Sequence, residues 1–438
     1  MRPLSQTARS VANRLVLVAL GGATGIIVAR TLHPEGRGAY AIVVAIATAA
    51  MALGHLSLDQ AVVGLWPGRG EALTANGAVL GPLLGVGAAA GAAGLAAAGA
   101  LGPQATHDPA VLALGLLAVP AMITVLYLGS AVTLAGRIRV VDRSQLLSGI
   151  VQCGSLLAVA AAGRISVGWV IGLWTLAMAV PLVRLLPAAR PRIRRFDTGL
   201  ARRSLSLAAR YHPGSVALYL TLRLDVILLG ALASTHAVGL YTVAVTFAEL
   251  ARIPTDALAR ASLSRQAVAD LTAVVAATVK ATRTSTALAA GTVAALCLAA
   301  PVLLPAGYGA EFAGAVPALF ALAPGLFALG AARQVSAYLV RLHRPLTMSA
   351  ASVAALALNV VAILVLVPRW GIVGCALASS ASYTLIATVQ VARFCRASST
   401  PVWRLLPSPA RLRRRRAGDP LEDVFVTADP TPARDEVA

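Results

Sequence analysis

The sequence predicts an all-α polytopic membrane protein with about twelve transmembrane helices in two six-helix lobes. Of its 438 residues, 58% are hydrophobic and only 12% are charged, too few charges to cover a soluble domain of this size. The apolar residues are mainly Ala, Leu, Val and Gly, which suit closely packed helices in lipid. Basic residues lie between the apolar runs and fall mostly on one side of the predicted membrane.

Twelve apolar runs have the length of about 20 residues that crosses a bilayer as a helix. The first run follows a basic N-terminus, but it lacks a convincing cleavage site, so we expect a retained helix and not a signal peptide. The six predicted helices of the N-lobe are 15–31, 39–66, 75–101, 109–135, 146–163 and 165–186. The six predicted helices of the C-lobe are 212–233, 237–260, 284–305, 313–340, 346–368 and 371–393.

Four segments follow from this count. The N-lobe is expected to cover residues 1–186 and the C-lobe residues 212–396. Between them lies a basic connector, 187–211, which we predict to be amphipathic or looping. The tail, 397–438, is basic and then rich in proline and acid, which is typical of disorder. The arginines of the connector and the tail are expected to contact anionic membrane lipids.

The distribution of arginine predicts the orientation. If the N-terminus is cytoplasmic, the loops on the opposite side hold only Arg30, Arg37, Arg164 and Arg369. This bias follows the positive-inside rule and places both termini in the cytoplasm, with the chain in a bacterial cytoplasmic membrane. An odd number of helices would place the basic tail outside. The formal net charge of +20 does not predict nucleic-acid binding, because the basic residues form no aromatic-interleaved face.

The two halves resemble each other at three places. The matching segments are Gly38-Ala-Tyr40 with Gly239-Leu-Tyr241, Arg137-Ile-Arg139 with Arg341–Arg344, and Arg164–Gly168 with Arg369–Gly374. Their offsets stay between 201 and 206 residues. Both copies begin on the same side of the membrane, so the repeat is parallel. Paired six-helix bundles of this kind are typical of alternating-access transporters.

Several charged residues lie within the predicted helices, where an Arg at a helix centre costs about 2.5–3.5 kcal/mol on insertion scales. Such residues persist where they face a wet cavity or a partner. They are Arg223 and Asp225 in helix seven, Glu249, Arg252, Asp256 and Arg260 on one face of helix eight, Arg333 in helix ten, and His55 and Asp59 in helix two.

Two interpretations of these charges remain open. In the first, Arg223, Arg252 and Arg333 line a polar cavity between the lobes and bind a phosphate or pyrophosphate group. Carboxylates such as Asp225 and Glu249 then hold the arginines apart or bind a coupling cation. In the second, the charges only pair with one another, Glu249 with Arg252 and Arg223 with another acid, and join the helices.

Other polar groups favour structure over chemistry. Asp59 with His55 could relay protons, although a satisfied interhelical contact is the better interpretation. No Gly-rich phosphate loop, HExxH segment, nucleophile elbow or Cys/His metal cluster is present in the sequence. We therefore expect no enzyme, no cofactor and no metal centre.

Three groups of residues follow one another in a fixed order along the chain. They are the stretch from Ile27 through Arg30, Pro34 and Gly38 to Tyr40, the segments Tyr219–Asp225 and Val238–Tyr241, and the set Asn359, Pro368, Gly371, Gly374 and Tyr383. Together they resemble the polysaccharide flippases of the multidrug/oligosaccharidyl-lipid/polysaccharide exporter superfamily. The resemblance covers about residues 10–395. It implies a fold of twelve to fourteen helices around a central cavity for polyprenyl-linked glycans. In such flippases the cavity is typically cationic, a role that passes here to Arg223, Arg252 and Arg333. Arg30 matches an arginine at the end of helix one, where a structural role is equally expected.

The predicted function is a flippase for a lipid-linked oligosaccharide, which would be the main partner together with a possible coupling ion. The chain departs from the lipid II flippases in lacking two further C-terminal helices, so an exopolysaccharide or O-antigen-type unit is favoured over a peptidoglycan precursor. The alternatives are a small-molecule exporter of the same superfamily, a membrane-embedded glycosyltransferase or polymerase, and a scaffold that transports nothing.

Overall fold

The computed structural model describes residues 3–105, 107–259, 271–341 and 345–406. All regular secondary structure in these ranges is helical. The α-helices are α1 (Pro3–Gly54), α2 (Leu58–Leu65), α3 (Gly70–Ala97), α4 (Pro109–Leu116), α5 (Ala118–Leu134), α6 (Ile138–Ala161), α7 (Val167–Ala179), α8 (Leu182–Ala189), α9 (Thr198–Ala208), α10 (His212–Thr221), α11 (Leu224–Leu232), α12 (Thr235–Glu249), α13 (Leu271–Tyr308), α14 (Val316–Arg341) and α15 (Pro345–Ser398). After α12, a 3-10 turn at Leu250–Arg252 leads into further helix as far as Ala259.

The described helices supply twelve passages of the membrane. Nine stretches are long and apolar enough to cross, and α10 with α11 adds a span that is bent by 51°. Two of the nine are double: Leu15–Leu65 breaks at His33 (φ 57°), and Ala350–Ser398 breaks at Gly371 (φ 54°). Each break lies close to a proline, Pro34 or Pro368, whose missing N–H interrupts the helical hydrogen bonds. The prediction of an all-α fold with twelve helices in two repeated lobes is confirmed.

Helix two is interrupted, whereas the sequence predicted it to be continuous over 39–66. It ends at Gly54 and begins again at Leu58, with Leu56 (φ 47°) and Ser57 (φ 52°) in the left-handed region. The break frees backbone carbonyl groups, and the Tyr127 hydroxyl donates a hydrogen bond to the carbonyl oxygen of His55. The segment around the break contains the polar residues His55, Ser57 and Asp59, but the run 39–66 as a whole is apolar enough to predict a single helix.

The ninth passage is longer than predicted, Val274–Tyr308 in place of 284–305. Its first turns carry threonines that lowered the hydropathy of the sequence. Thr278, Thr282 and Thr286 each donate a hydrogen bond of 2.8–2.9 Å to the carbonyl four residues earlier. Because these hydroxyl groups are satisfied inside the helix and the three threonines are buried in the protein, the helix continues through this segment at little cost.

Two glycines of the internal repeat bring the lobes together backbone to backbone. A Cβ atom on Gly38 would lie 1.8 Å from the carbonyl oxygen of Thr235, and one on Gly239 would lie 1.9 Å from that of Pro34. The two contacts are related by the same offset of 201 residues that relates the sequence motifs. Each glycine therefore packs on the turn that precedes the other, as a two-fold axis along the membrane normal requires.

The two ends of the molecule differ in chemistry. We call the end that carries His33, Thr235 and Glu311 the distal end. There the His33 Nδ1 atom lies 2.9 Å from a carboxylate oxygen of Glu311, which joins the turn of α1 to the chain beyond α13. We call the opposite end, with Arg137 and the arginines near Arg192, the basic end. Arg137 donates a 2.6 Å hydrogen bond to the carbonyl oxygen of Ala188 at this end.

The predicted connector, 187–211, contains the amphipathic helix α9. Leu200, Ala201, Ser204 and Ala208 are buried, while its arginines are exposed. The Asn76 side chain holds the start of α9, since its amide nitrogen donates to the carbonyl oxygen of Asp197 (3.0 Å) and its oxygen accepts from the N–H of Asp197 (2.9 Å). The connector is thus fastened to the N-lobe helix α3, and contact of its arginines with lipid remains a prediction.

The beginning of the predicted tail, 397–438, is packed. Residues Val402–Leu405 form a 3-10 turn, and Leu405 is buried against Val274, Tyr338 and Phe394. The Arg283 side chain donates a 2.5 Å hydrogen bond to the carbonyl oxygen of Arg404. Residues 407–438, with the remaining basic residues of the tail, lie outside the described residues.

Replacement of Gly38 or Gly239 by alanine is expected to destabilise the protein. The added methyl group would meet a backbone oxygen that cannot move without separating the lobes. We expect a loss of about 1–3 kcal/mol, measured as thermal stability of the purified protein in detergent.

The matched control is Gly87→Ala in α3, where a Cβ atom meets nothing within 4 Å. This variant should be neutral or slightly stabilised, because alanine is the better helix former. Equal stability of all three variants would contradict the close approach of the lobes.

Candidate functional site

Two of the intramembrane arginines of the C-lobe, Arg223 and Arg252, lie where its helices are interrupted. Arg223 occupies the bend between α10 and α11, and Arg252 ends the 3-10 turn that follows α12. Interrupted helices leave backbone groups without internal partners, which is tolerated at membrane depth where the backbone is buried in protein or lines a cavity. The breaks therefore fall where a polar cavity is expected.

A cavity of about 180 Å³ lies at these breaks. Its walls come from α10, the residues before α11, α12 with its 3-10 turn, α14 and the second half of α15. The lining residues are Tyr219, Leu222, Arg223, Val245, Ala248, Glu249, Arg252, Leu322, Leu326, Leu329 and Tyr383. The sequence placed the cationic cavity between the lobes, whereas the described cavity that holds Arg223 and Arg252 is lined by the C-lobe alone.

Inside this cavity Arg223 is paired and Arg252 is not. The Arg223 Nη2 atom lies 3.2 Å from the Glu249 Oε1 atom, and both side chains are about half exposed (44% and 49%). Among the described residues, no carboxylate oxygen lies within 4.0 Å of the Arg252 guanidinium. The second interpretation of the sequence paired Glu249 with Arg252, but the bend after Thr221 directs Arg223 to Glu249 instead. Two guanidinium groups and one carboxylate leave the cavity with a net positive charge.

Arg333 does not line this cavity. It forms an ion pair with Asp256, which connects α14 to the helix that follows the 3-10 turn. Next to this pair, the Gln334 amide donates a 3.3 Å hydrogen bond to the carbonyl oxygen of Thr255. Arg333 and Asp256 thus join two helices beside the cavity. Arg260, the fourth predicted charge of helix eight, lies outside the described residues.

Asp225 lies in a separate buried cluster and does not touch the cavity. Its Oδ2 atom accepts hydrogen bonds from the Tyr241 hydroxyl (2.5 Å) and the Ser379 hydroxyl (3.3 Å). The Asn359 amide nitrogen is 3.5 Å from the Ser379 oxygen, while the Asn359 Oδ1 atom is buried without a hydrogen-bond partner. The cluster joins four passages of the C-lobe and places several oxygen atoms around one buried carboxylate.

The predicted supporting residues of the N-lobe have structural contacts. Arg30 donates hydrogen bonds to the carbonyl oxygens of Gly307 (2.8 Å) and Ala306 (2.6 Å), which are unsatisfied at the end of α13. The Asp59 Oδ1 atom lies 3.9 Å from His55 Nε2 across the break in helix two. The ring of His212, at the start of α10, packs edge-on against His55 at 5.6 Å. The sequence analysis missed His212.

Arg37 is the other residue that sequence reasoning missed. It was counted as a loop residue, but it lies in the first turns of helix two and is only 5% exposed. Its guanidinium donates to the carbonyl oxygen of Gly25 (2.9 Å) and to the Thr246 hydroxyl (3.3 Å), and it lies 5.6 Å from the centre of the Tyr308 ring. The flanking Gly36 and Gly38 were the available signal, since paired glycines indicate close approach of another element.

Twelve membrane passages in two repeated lobes, with a charged cavity inside one of them, define a multi-pass membrane protein. The chain belongs to the family described as "Polysaccharide biosynthesis protein", whose sequence profile matches residues 27–317. No curated protein matches the chain.

Solved structures show the same fold. The lipid II flippase MurJ in an inward closed conformation is similar with a TM-score of 0.73 and 12% identity, over 91% of this chain and 89% of that chain. An inward-facing multidrug resistance MATE family transporter of the MOP superfamily has a TM-score of 0.63 and 14% identity, over 87% and 94%. A MOP superfamily transporter from Pyrococcus furiosus Vc1, described by a binding pocket of reverse polarity, has a TM-score of 0.65 and 15% identity, over 90% and 94%. The resemblance to this superfamily is confirmed, and identities this low show the fold alone.

The role of Arg333 is testable by exchanging the charges of its ion pair. Arg333→Ala and Asp256→Ala should each lower the thermal stability of the purified protein, because each leaves a charge without its partner. The combined variant Arg333→Asp/Asp256→Arg should recover part of that loss. We expect a coupling free energy of about 1 kcal/mol, since the pair is partly exposed.

The matched control is Glu71→Ala, which removes a carboxylate that lies 3.8 Å from both Arg192 and Arg195 with exposed side chains. It should change stability very little. If the double variant Arg333→Ala/Asp256→Ala loses as much stability as the two single alanine variants together, Arg333 is not held by Asp256.

Proposed function

We propose that the protein is a flippase that moves a polyprenyl-pyrophosphate-linked oligosaccharide across the bacterial cytoplasmic membrane by alternating access, for polysaccharide biosynthesis. The observation that carries the proposal is that Arg252 meets no carboxylate among the described residues, in a cavity that it shares with Arg223 and Glu249. An uncompensated guanidinium at membrane depth is costly and marks a site for an anionic partner. A pyrophosphate diester is such an anionic partner, and the polysaccharide biosynthesis family of the chain supports a substrate of this kind.

The ion pair between Arg223 and Glu249, beside Arg252, lowers the cost of two arginines in the cavity when no substrate is bound. With Glu249 held at 3.2 Å from Arg223, only one positive charge needs compensation by solvent. An entering pyrophosphate would bind Arg252 first and then compete with Glu249 for Arg223. Guanidinium groups suit this exchange because they bind phosphate oxygens bidentately and stay charged throughout. In this proposal Arg333 keeps α14 against helix eight and does not touch the substrate.

The contacts between the lobes support access from the basic end. Gly38 and Gly239 close the distal end, together with the His33–Glu311 pair and the bonds from Arg30 to the end of α13. Release on the distal side then requires these contacts to separate as the lobes rock. If both termini are cytoplasmic, as the arginine distribution predicts, the distal end faces outward and the direction is export.

A coupling cation, if one is used, would fit the buried cluster around Asp225 better than the arginine cavity. Asp225, Tyr241, Ser379 and the unpartnered Asn359 Oδ1 atom supply only oxygen ligands, which suit hard cations. Asp225 lies on the same bent span as Arg223. A cation bound at the cluster would therefore alter the bend that positions Arg223.

Export of a small molecule is the second candidate, and the similarity to MATE family transporters favours it. The charge of the cavity argues against it for cationic compounds, since two arginines and one glutamate repel a cation. An anionic drug would remain compatible. Competition between lipid-linked glycan and anionic dyes for transport separates the two functions.

Arg252→Gln is expected to reduce transport about 10- to 100-fold, since a hydrogen bond to a charged group contributes about 1.5–3 kcal/mol. The measurement is translocation of a fluorescent prenyl-pyrophosphate glycolipid in vesicles that contain the purified protein. Glu249→Gln should weaken transport less, because it removes a competitor of the substrate as well as a partner of Arg223.

The control is Arg139→Gln, which removes an exposed arginine at the basic end. It should leave transport close to that of the unaltered protein. Undiminished transport by Arg252→Gln would reject the role of the cavity.

The proposed orientation has its own test. Reporter fusions after residues 35, 108, 164, 235, 310 and 369 should all report a location outside the cytoplasm, because these positions share the predicted arginine-poor side. A fusion after residue 190, in the basic connector, should report the cytoplasm. A cytoplasmic signal from any of the first six positions would overturn the orientation.

A further inference from the structure

The N-lobe contains an open pocket that the proposed function does not use. Its volume is about 660 Å³, and it lies among the first, second, fourth, fifth and sixth passages. Its lining residues belong to the halves of these helices nearest the basic end. Of the 22 lining residues, 15 are apolar or glycine and none is charged. This N-lobe pocket is therefore a neutral, mainly hydrocarbon-lined space that opens in the same half of the molecule as the basic end.

The internal repeat relates the N-lobe pocket to the arginine cavity of the C-lobe. Residues Gly21, Met51 and Val125 line the first, and residues 201 positions later, Leu222, Arg252 and Leu326, line the second. Met178 of the N-lobe pocket similarly corresponds to Tyr383 at an offset of 205. The two lobes thus form a pocket at the same place in the repeat. Where the C-lobe carries a guanidinium, the N-lobe carries a thioether.

Three of the seven polar side chains that line the N-lobe pocket have their hydroxyl groups occupied by the protein itself. The hydroxyls of Thr133 and Ser144 donate 2.7 Å hydrogen bonds to the carbonyl oxygens of Gly129 and Val141. The Ser148 hydroxyl donates a 2.6 Å bond to the carbonyl oxygen of Ala177. A glycan needs free donors and acceptors to replace its bound water, and these hydroxyls do not offer their hydrogen atoms. Because these three hydroxyls are occupied and 15 of the 22 lining residues are apolar or glycine, the pocket favours an apolar ligand over a sugar.

Methionines are concentrated in the N-lobe pocket. Met51, Met122 and Met178 line it, and they are three of the five methionines in the whole chain. The unbranched, polarisable methionine side chain adapts to ligands of irregular shape and is common on surfaces that bind flexible apolar partners. Three of them around one neutral pocket suit a flexible hydrocarbon chain better than a rigid ring system.

We propose that the N-lobe pocket binds the polyprenyl chain of the transported lipid, while its pyrophosphate binds the arginine cavity of the C-lobe. The inference rests on the proposed function and assigns the hydrophobic part of the same substrate. Charge complementarity carries it, because the two repeat-related pockets, one neutral and one cationic, match the two parts of an anionic amphiphile. A cationic drug would find no free carboxylate in either pocket, because the N-lobe pocket has none and Glu249 of the arginine cavity is paired with Arg223.

Photolabelling of the purified protein in lipid nanodiscs tests this assignment. The probe is a short prenol with a diazirine at its end, which has the chain but no phosphate and no sugar. Labels are expected on peptides that contain Met51, Met122 or Met178, and an excess of unlabelled prenol should remove them. An equal excess of phosphatidylglycerol should not remove them. Labels elsewhere only, or equal removal by the phospholipid, would overturn the proposal.

Two neighbouring glycines provide matched variants. A Cβ atom on Gly21 or on Gly22 meets nothing within 4 Å, but only Gly21 lines the N-lobe pocket. Gly21→Phe should weaken labelling about tenfold, the change expected when about two methylene groups of the chain lose their burial. Gly22→Phe should label like the unaltered protein. Equal labelling of both variants would reject the pocket as the site.

The outcome is distinguishable from a failure of the proposed function, because the prenol probe has no group for the arginines. Normal prenol labelling with transport that does not depend on Arg252 would reject the flippase mechanism and retain the chain site. Transport that depends on Arg252, without labelling of the N-lobe pocket, would retain the flippase mechanism and reject the chain site.

Discussion

The contact of Gly38 with the turn at Thr235, and of Gly239 with the turn at Pro34, is the constraint on which the arrangement of the lobes depends. Helices in lipid gain little from burying apolar side chains against one another, so close backbone packing carries much of their association. Only glycine permits the carbonyl oxygens of one lobe to reach the helix axis of the other. Because the two contacts lie at the distal end, the lobes are joined there. The remainder of each lobe can then differ in chemistry without disturbing the joint.

The two repeated lobes share the arrangement of their backbone but differ in the side chains that line their pockets. Both lobes form a pocket at equivalent positions, yet the C-lobe pocket contains Arg223, Glu249 and Arg252, and the N-lobe pocket contains no charge. The bend in the seventh passage and the 3-10 turn in the eighth place the arginines at the cavity, whereas in the N-lobe the break in helix two occurs after Gly54 and the Tyr127 hydroxyl bonds to the carbonyl oxygen of His55 there. An asymmetric pair of pockets in a symmetric frame suits a ligand whose two ends differ.

The charged residues that the sequence predicted to line or support one cavity form three separate clusters in the structure. Arg333 with Asp256 joins helices, Asp225 with Tyr241 and Ser379 forms a buried oxygen cluster, and Arg223 with Glu249 and Arg252 lines a cavity. Arg37, which looked like a loop residue, is buried between the lobes. Except for Arg37, each of these arginines and carboxylates was visible in the sequence as a charge in an apolar context. Its partner was not, because the partner belongs to another helix.

The sequence by itself determined the twelve passages, the parallel repeat and, apart from Arg37, the charged residues that lie within the helices. These properties are local: hydropathy over about 20 residues, a fixed offset between motifs, and the identity of each side chain. Only the tertiary structure decided which acid each arginine meets, since Arg223 and Glu249 are 26 residues apart and Arg333 and Asp256 are 77 apart. An ion pair forms over a few ångströms. Helix bends such as the 51° break before α11 set that distance, and no sequence spacing encodes them.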